Sequence, residues 1–485
     1  MNAGSTLSSQ AKSNILLAII VASYLMIVVD ISIIITGLPK IKAGLGFTTA
    51  ELSWVQNAYT LAFGGLLLLG ARAGDILGRK RMYIVGTAVF TLASLAIGVA
   101  QSPAWLLVFR AIQGVGAAVL APSTLALLST NFAEGPERTR ALSLYAAAAG
   151  LGAILGLVLG GLVADLISWR VGFFINLPIG IALITGARRY FTETPREAGH
   201  FDLIGAISST VGMVALVYGI VRSADVGWGA QETVVSLITG IVLIAVFIAV
   251  ESRAEQPILP LRLFANKIRS SAYVARMLFM GGMVGFWFFS TQYLQGVLGF
   301  TPLQAGLAFL PVSLPNLISA VMVPRLTRTL GNGGLIVAGL VVAIVGLLWL
   351  GQATANTPYL TGVALPMLFI GFGQGAVLAP LTVEAVAEVA PEDTGAASGM
   401  VNVAHQLGGS LGLGVLVVVF TAAKPADLHS VEALAHQITT SINGSACMLA
   451  LAAIIALTLI VPKRARVTTA AEIAAKEPEV LLRTR

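Results

Sequence analysis

"AAVLAP" at residues 117–122 returns as "GAVLAP" at 375–380, an offset of 258 residues. Each copy is followed by a Pro-Glu pair, 136–137 and 391–392, read as the opening of a cytoplasmic loop. The chain around them is 57% hydrophobic and 11% charged, with a mean hydropathy of +0.90. Soluble domains run about 25% charged, so this composition cannot furnish a water-facing surface. About 20 apolar residues cross a bilayer as a helix. Windows of that kind fall at 15–38, 52–69, 82–100, 105–128, 141–163, 169–188, 201–221, 233–250, 272–294, 304–323, 335–351, 359–381, 398–421 and 441–461. That makes about fourteen, with the two copies in the fourth and the twelfth. A spacing of eight windows fits two six-helix bundles separated by an inserted pair, the seventh and eighth.

The basic residues test this threading. With the N-terminus cytoplasmic, inner segments carry 22 of the 29 Lys and Arg and outer loops carry five: Lys40, Lys42, Arg170, Arg222 and Lys424. The remaining two, Arg110 and Arg276, lie within expected helices. Such asymmetry is the positive-inside pattern, and it places both termini in the cytoplasm of a multi-pass protein of the inner or plasma membrane. The first apolar run exceeds the 7–15 residues of a signal-peptide core, so it reads as a retained anchor. The expected divisions are an N-terminal bundle over 1–190, the inserted pair with its linkers over 191–265, a C-terminal bundle over 266–462 and a cytoplasmic tail over 463–485. A pI of 9.6 then reflects topology rather than nucleic-acid binding. The single cysteine, Cys447, excludes a disulfide framework, and the histidines at 200, 405, 429 and 436 lack ligand spacing, so no metal site is expected. "NGS" at 443–445 fits a glycosylation acceptor and reads as a loop.

The second window ends in "GARAGDILGRKRM", 70–82. Gly70 and Gly74 lie one turn apart and allow a close helix neighbour. Asp75 can face a helix N-terminus or pair with Arg79, while Gly78, Arg79, Lys80 and Arg81 form a short basic loop. The whole array resembles the signature loop of the major facilitator superfamily. "VDISIIITGLP" (29–39) and "FRAIQGVGAA" (109–118) resemble motifs of its drug:proton antiporter group, and "SWRVGFFINLPIG" (168–180) and "HQLGGSLG" (405–412) resemble its fourteen-helix branch. The resemblance covers the chain to Val461 and implies an all-α membrane fold, exchange of substrate against protons, and a part for Arg110 in proton coupling. Two positions depart from it. Helix 5 keeps Gly152, Gly156, Gly160 and Gly161 but has Leu157 where such antiporters carry proline. His405 stands where the branch commonly has arginine; it either titrates near neutral pH or packs as a neutral ring.

Asp30 lies in the middle of the first window, where an ionised carboxylate costs roughly 2.5–3.5 kcal/mol on insertion scales. Asp75 and Asp165 fall at helix ends, and no acid occurs between Glu255 and Glu384. Intramembrane acids mark ion or proton paths. Asp30 is therefore the expected coupling acid, holding a proton or a cationic substrate in turn, unless it serves as a neutral helix-helix hydrogen bond. Arg110 is its natural partner, with Gln113 on the same face; the alternative is snorkelling to the interface. Glu384 is either an inner gate acid or an exposed terminal charge, and Arg276 is expected to snorkel inward. Cavity walls are expected from Trp54, Asn57, Tyr59, Gln113, Trp287, Tyr293, Asn316, Gln374 and Asn402.

The expected function is a monomeric, cofactor-free secondary transporter that exports drug-like, lipophilic cationic compounds against protons, with substrate, protons and lipid as its partners. A dedicated exporter or importer of one metabolite or antibiotic has the same fold and stays open. A channel or membrane enzyme is a remote alternative, since no P-loop, G-x-S-x-G or H-E-x-x-H pattern occurs.

Overall fold

The computed structural model describes residues 9–132, 135–196, 201–254, 257, 259–390, 393–425 and 431–461. The 463–485 tail, His200, His429 and the Pro391-Glu392 pair lie outside the described residues. Inside hydrocarbon every backbone amide needs a partner within the protein, and a helix supplies it within its own segment. The described residues accordingly contain helices and no strand. In the N-terminal bundle the crossings are α1 (Ser9–Leu45), α2 (Trp54–Leu77), α3 (Arg79–Gly98), α4 (Pro103–Asn131), α5 (Pro136–Leu166) and α6 (Asn176–Tyr190). The inserted pair is α7 (Leu203–Val226) and α8 (Gln231–Glu251). The C-terminal bundle holds α9 (Lys267–Gln292), α10 (302–330, interrupted at Phe309), α11 (332–350), α12 (Leu365–Ala385), α13 (Thr394–Ala422) and α14 (Val431–Ile455).

Among the described residues thirteen helical stretches have the length and hydropathy of a span. The longest, Pro302–Leu350, is two crossings joined at Gly331, whose φ of 67° ends one helix and starts the next. Fourteen crossings among the described residues result, as the windows predict.

The duplication is visible in the packing. In the first bundle α2 and α3 both pack on α4, α1 on α5, and α3 on α6; in the second α10 and α11 pack on α12, α9 on α13, and α11 on α14. The repeated hexapeptide explains part of this. Gly116 beside it packs on the backbone of Phe90 in α3, and Gly373 beside its copy packs on Gly339 and Ala343 in α11. Thr124 donates to the Leu120 carbonyl at 2.6 Å, and Thr382, 258 residues later, donates to that of Leu378 at 2.9 Å.

The bundles meet along two seams related by the same symmetry, α2 with α13 and α5 with α10. Across the first, Thr60 and Ser410 share a hydrogen bond of 2.6 Å, and Gly64 leaves room for Gln406. Across the second, Gly161 and Gly306 let backbones touch at Pro302 and Leu157. At the end opposite the basic loops, Thr291 donates to the Ile35 carbonyl at 3.0 Å and Gln295 to that of Thr36 at 2.9 Å. The inserted pair reaches both bundles through one member: α8 packs on α7, and α7 touches both α2 and α13, with Thr210 over Gly65 and Val217 by Gly414.

Two local expectations are corrected. Pro136 is the first residue of α5, a position where its missing N–H costs nothing, so the preceding connection ends where a loop was expected to open. Asn443 lies within α14, which starts ten residues before the hydropathy window, and donates to the Gly351 carbonyl at 3.2 Å. It is a helix-packing residue and no loop acceptor.

Candidate functional site

Asp30 sits in α1 with 2% of its surface exposed. Donors from two other helices converge on its carboxylate. From α4, the Arg110 guanidinium donates to Oδ2 at 3.0 Å and the Gln113 amide to Oδ1 at 2.9 Å. From α6, Asn176 donates to Oδ1 at 2.7 Å. Ser94 of α3 closes the network, accepting from Gln113 at 2.7 Å and from Asn176 at 3.2 Å.

Arg110 is 1% exposed and equally engaged. Its Nε donates to the Val55 carbonyl at 2.9 Å, its Nη1 also reaches Gln113 Oε1 at 2.5 Å, and the Tyr59 ring lies 4.4 Å from its guanidinium carbon. Buried charges persist when paired and hydrogen-bonded, and this pair has both kinds of support. The snorkelling alternative for Arg110 is thereby excluded. The network is interior to the N-terminal bundle, however, so Asp30 offers no free oxygen to a molecule between the bundles. The expected direct competition of a cationic substrate for this carboxylate has no geometry here. Asn176 and Ser94 are the members that sequence reasoning missed. A polar residue inside "FFINLP" was the available signal for Asn176; nothing distinguished Ser94 from other membrane serines.

The array after α2 forms a joint with the segment following α6. Asp75 pairs with Arg79 at 2.8 Å, the local option of the two expected. A Cβ at Gly70 would strike the Ala118 carbonyl of α4, and Gly74 faces Ser123. Gly78 takes φ 104°. The first amides of α3 then point at Glu193, which accepts from the Lys80 N–H at 2.9 Å and the Arg81 N–H at 3.1 Å, an anion on a helix N-terminus. Lys80 Nζ caps α6 through the Arg188 and Phe191 carbonyls at 3.0 and 2.6 Å. Glu193 was also missed; an acid just past a helix in a basic loop was its signal.

Gly152, Gly156 and Gly160 form one face of α5 against Leu25, Ser32 and Ile33 of α1, whereas Gly161 turns to the second bundle. Glu384 is 1% exposed and accepts from Asn332 at 3.2 Å, so the exposed-charge option falls. Arg276 does not snorkel. It is 7% exposed, with Nη1 on Thr382 Oγ1 at 2.8 Å and on the Leu378 carbonyl at 3.4 Å, and Nη2 at 3.3 Å from His405 Nδ1.

The nine expected wall residues do not form one surface. Tyr59 and Gln113 belong to the Asp30 network. Trp54 packs toward Tyr218 of α7, Trp287 against Phe286 and Phe309, and Tyr293 donates to the Thr354 carbonyl at 2.7 Å. Asn57 is fully buried, Asn316 and Gln374 are half-buried, and Asn402 is exposed. An apolar cavity of about 370 Å³ lies elsewhere, between α2, α7, α8, α13 and the linker, walled by Leu68, Met213, Phe247, Phe264, Met400 and Leu407 among others. Hydropathy locates helices but not which way each side points, which is why the wall residues scattered. Among the described residues no three His, Cys, Asp or Glu side chains gather into a metal cluster.

Comparison with known proteins agrees with the duplicated bundle plan. The chain is 40% identical over 454 residues to the cephamycin export protein CmcT of Amycolatopsis lactamdurans, covering 92% of each. It is 38% identical over 463 residues to the puromycin resistance protein Pur8 of Streptomyces alboniger, covering 92% of this chain and 90% of that one. A crystal structure of a bacterial homologue of the human lysosomal transporter Spinster matches with a TM-score of 0.68 at 15% identity, covering 93% and 97% of the two chains, a likeness of fold. The family model of the Major Facilitator Superfamily matches residues 20–413. Fourteen crossings among the described residues, two bundles of one plan and a match across most of the length make this chain a member of the Major Facilitator Superfamily, a multi-pass membrane transporter and not an enzyme.

Proposed function

We propose that this transporter exports drug-like, lipophilic compounds from the cytoplasm in exchange for protons, acting as a monomer without a cofactor and with both termini inside. The observation that carries the reading is the Asp30–Arg110 pair, a carboxylate and a guanidinium locked together at 3.0 Å inside hydrocarbon. A proton reaching Asp30 removes the charge that Arg110 neutralises. The charge-assisted bonds from α4 and α6 then weaken, and α1 is freed to move against α4. Alternating access follows if that movement is coupled to rocking of the bundles about their seams. Coupling of this kind is indirect: the proton changes the bundle, and the bundle changes the substrate site. A cationic substrate is no longer required by the carboxylate, whose oxygens are occupied.

Support for export comes from the relatives, of which one is named for cephamycin export and another for puromycin resistance. Those names also favour a second reading, a dedicated exporter of a single antibiotic; a third relative, 34% identical, is named a multidrug resistance protein. A resistance profile in a pump-deficient host separates the two, broad for one and confined to a single compound for the other.

The coupling role is tested with purified protein in liposomes under an imposed pH gradient. Asp30→Asn should abolish proton-driven dye efflux while the variant remains monodisperse and folded. Efflux that still follows the gradient in this variant removes Asp30 from the mechanism.

A further inference from the structure

Arg276 is a buried cation of α9 for which the described residues supply no carboxylate. No acid occurs between Glu255 and Glu384, which empties α9, α10 and α11 of counter-charge. Glu384 lies two residues past Thr382 on α12, about 200° around the helix from it, and bonds to Asn332 instead. Arg276 Nε has no hydrogen-bond partner, although Nη1 and Nη2 are used. An uncompensated buried charge is costly, and such groups in membrane helices face partners or pathways.

The histidine adds to the site. A guanidinium has no acceptor, so His405 Nδ1 must accept from it, which leaves the proton of the neutral ring on Nε2. Arg276 Nε and His405 Nε2 are thus N–H donors flanking one cation. The cluster also has a route to the seam. His405 is partly exposed, Asn402 three residues earlier on the same face of α13 is exposed, and the adjacent Gln406 meets Gly64 of the other bundle.

We propose that Arg276 and His405, braced by Thr382, bind a carboxylate borne by the transported molecule. A planar fork with a free N–H in a water-poor surrounding suits that anion better than any uncharged group. The transported class then includes acidic and zwitterionic amphiphiles. The inference rests on the transport reading above and adds a substrate class to it.

The test uses the purified full chain and two dyes that differ at one group, rhodamine 110 with a free carboxylic acid and rhodamine 123, its methyl ester. By fluorescence anisotropy the wild type should bind the acid about ten-fold more tightly than the ester, as one charge-assisted contact allows. Arg276→Gln should bring the acid's Kd to that of the ester, whereas Arg276→Lys keeps part of the difference. His405→Glu, which sets an internal carboxylate beside Arg276, should erase the preference with the arginine still present. Equal affinities in the wild type, no binding of the acid, or a preference that survives Arg276→Gln overturns the proposal. Proton-driven export of either dye from liposomes tests the transport reading separately: its failure with the binding preference intact sinks export and leaves the site.

Discussion

Each bundle buries one arginine in the hydrocarbon region, and the two are treated differently. Arg110 in α4 meets Asp30, Gln113, the Val55 carbonyl and the Tyr59 ring. Arg276 in α9 meets a hydroxyl, a carbonyl and a neutral imidazole, and among the described residues no acid. The duplication does not account for the difference, because the positions 258 residues past Arg110 and Gln113 are Leu368 and Gly371. A shared scaffold therefore carries two unlike electrostatic devices. The first bundle holds a closed pair that a proton can open, and the second holds an open cation that an anion can close.

The largest effect expected from this contrast is on stability. Removing one partner of a buried ion pair typically costs about 3–5 kcal/mol because the other charge is stranded. Arg110→Leu should therefore lower the melting temperature of the purified protein sharply, and Asp30→Asn added to it should restore most of the loss. Arg276→Met strands no charge and relieves the burial of an unpaired cation, which offsets the loss of its charge-assisted hydrogen bonds, so the net cost should be no more than about 1 kcal/mol. Equal losses in the two single variants would erase the contrast.

Asn176→Leu sharpens the first half of the comparison. It removes one donor from a charged acceptor, worth about 1.5–3 kcal/mol, and should give a melting shift between those of Arg110→Leu and Arg276→Met. A silent Asn176→Leu would mean that Asp30 is held from α4 alone.

Much of the scaffold was legible beforehand. The apolar windows follow from the solvent, since lipid demands continuous helices, and the hexapeptide repeat marks the duplication that the packing shows. The partners of Asp30 were legible only from α4, where Arg110 and Gln113 share a motif one turn long. Asn176 lies 146 residues away and Ser94 reaches the carboxylate only through amides, separations at which periodicity carries no information. Arg276 was misread as snorkelling because its depth could be counted from the sequence, while the direction of its side chain could not. Thr382 and His405 set that direction, and they come from two other helices.

A smaller effect concerns the contacts that close the end opposite the basic loops. Thr291→Val combined with Gln295→Leu removes two hydrogen bonds between bundles at about 1 kcal/mol each. The opening of that end, read as a spin-label distance between α1 and α9, should become about thirty-fold more populated; an unchanged distribution would show that these two contacts do not hold it shut. The smallest effect lies outside the membrane. Arg262 donates to Asp393 at 2.6 and 2.8 Å, and this hydrogen bond holds the carboxyl below its usual range. A depressed value means that the contact contributes above the ordinary carboxylate range and is lost as pH falls through the depressed one. Melting curves of wild type and Arg262→Gln should therefore converge in strong acid and separate as pH rises toward neutral. Curves that run parallel throughout would show that the contact contributes nothing.

The central claim is that Asp30 alternates between a protonated and an ionised form as the transporter works. Infrared difference spectroscopy on the protein in lipid reads this directly, because a protonated carboxyl has a carbonyl stretch that the ionised group lacks. Acidification within the physiological range should raise one such band in wild type that is missing from Asp30→Asn, and substrate binding should change its intensity. A spectrum in which that band never changes, with dye efflux still following the pH gradient, would contradict the account.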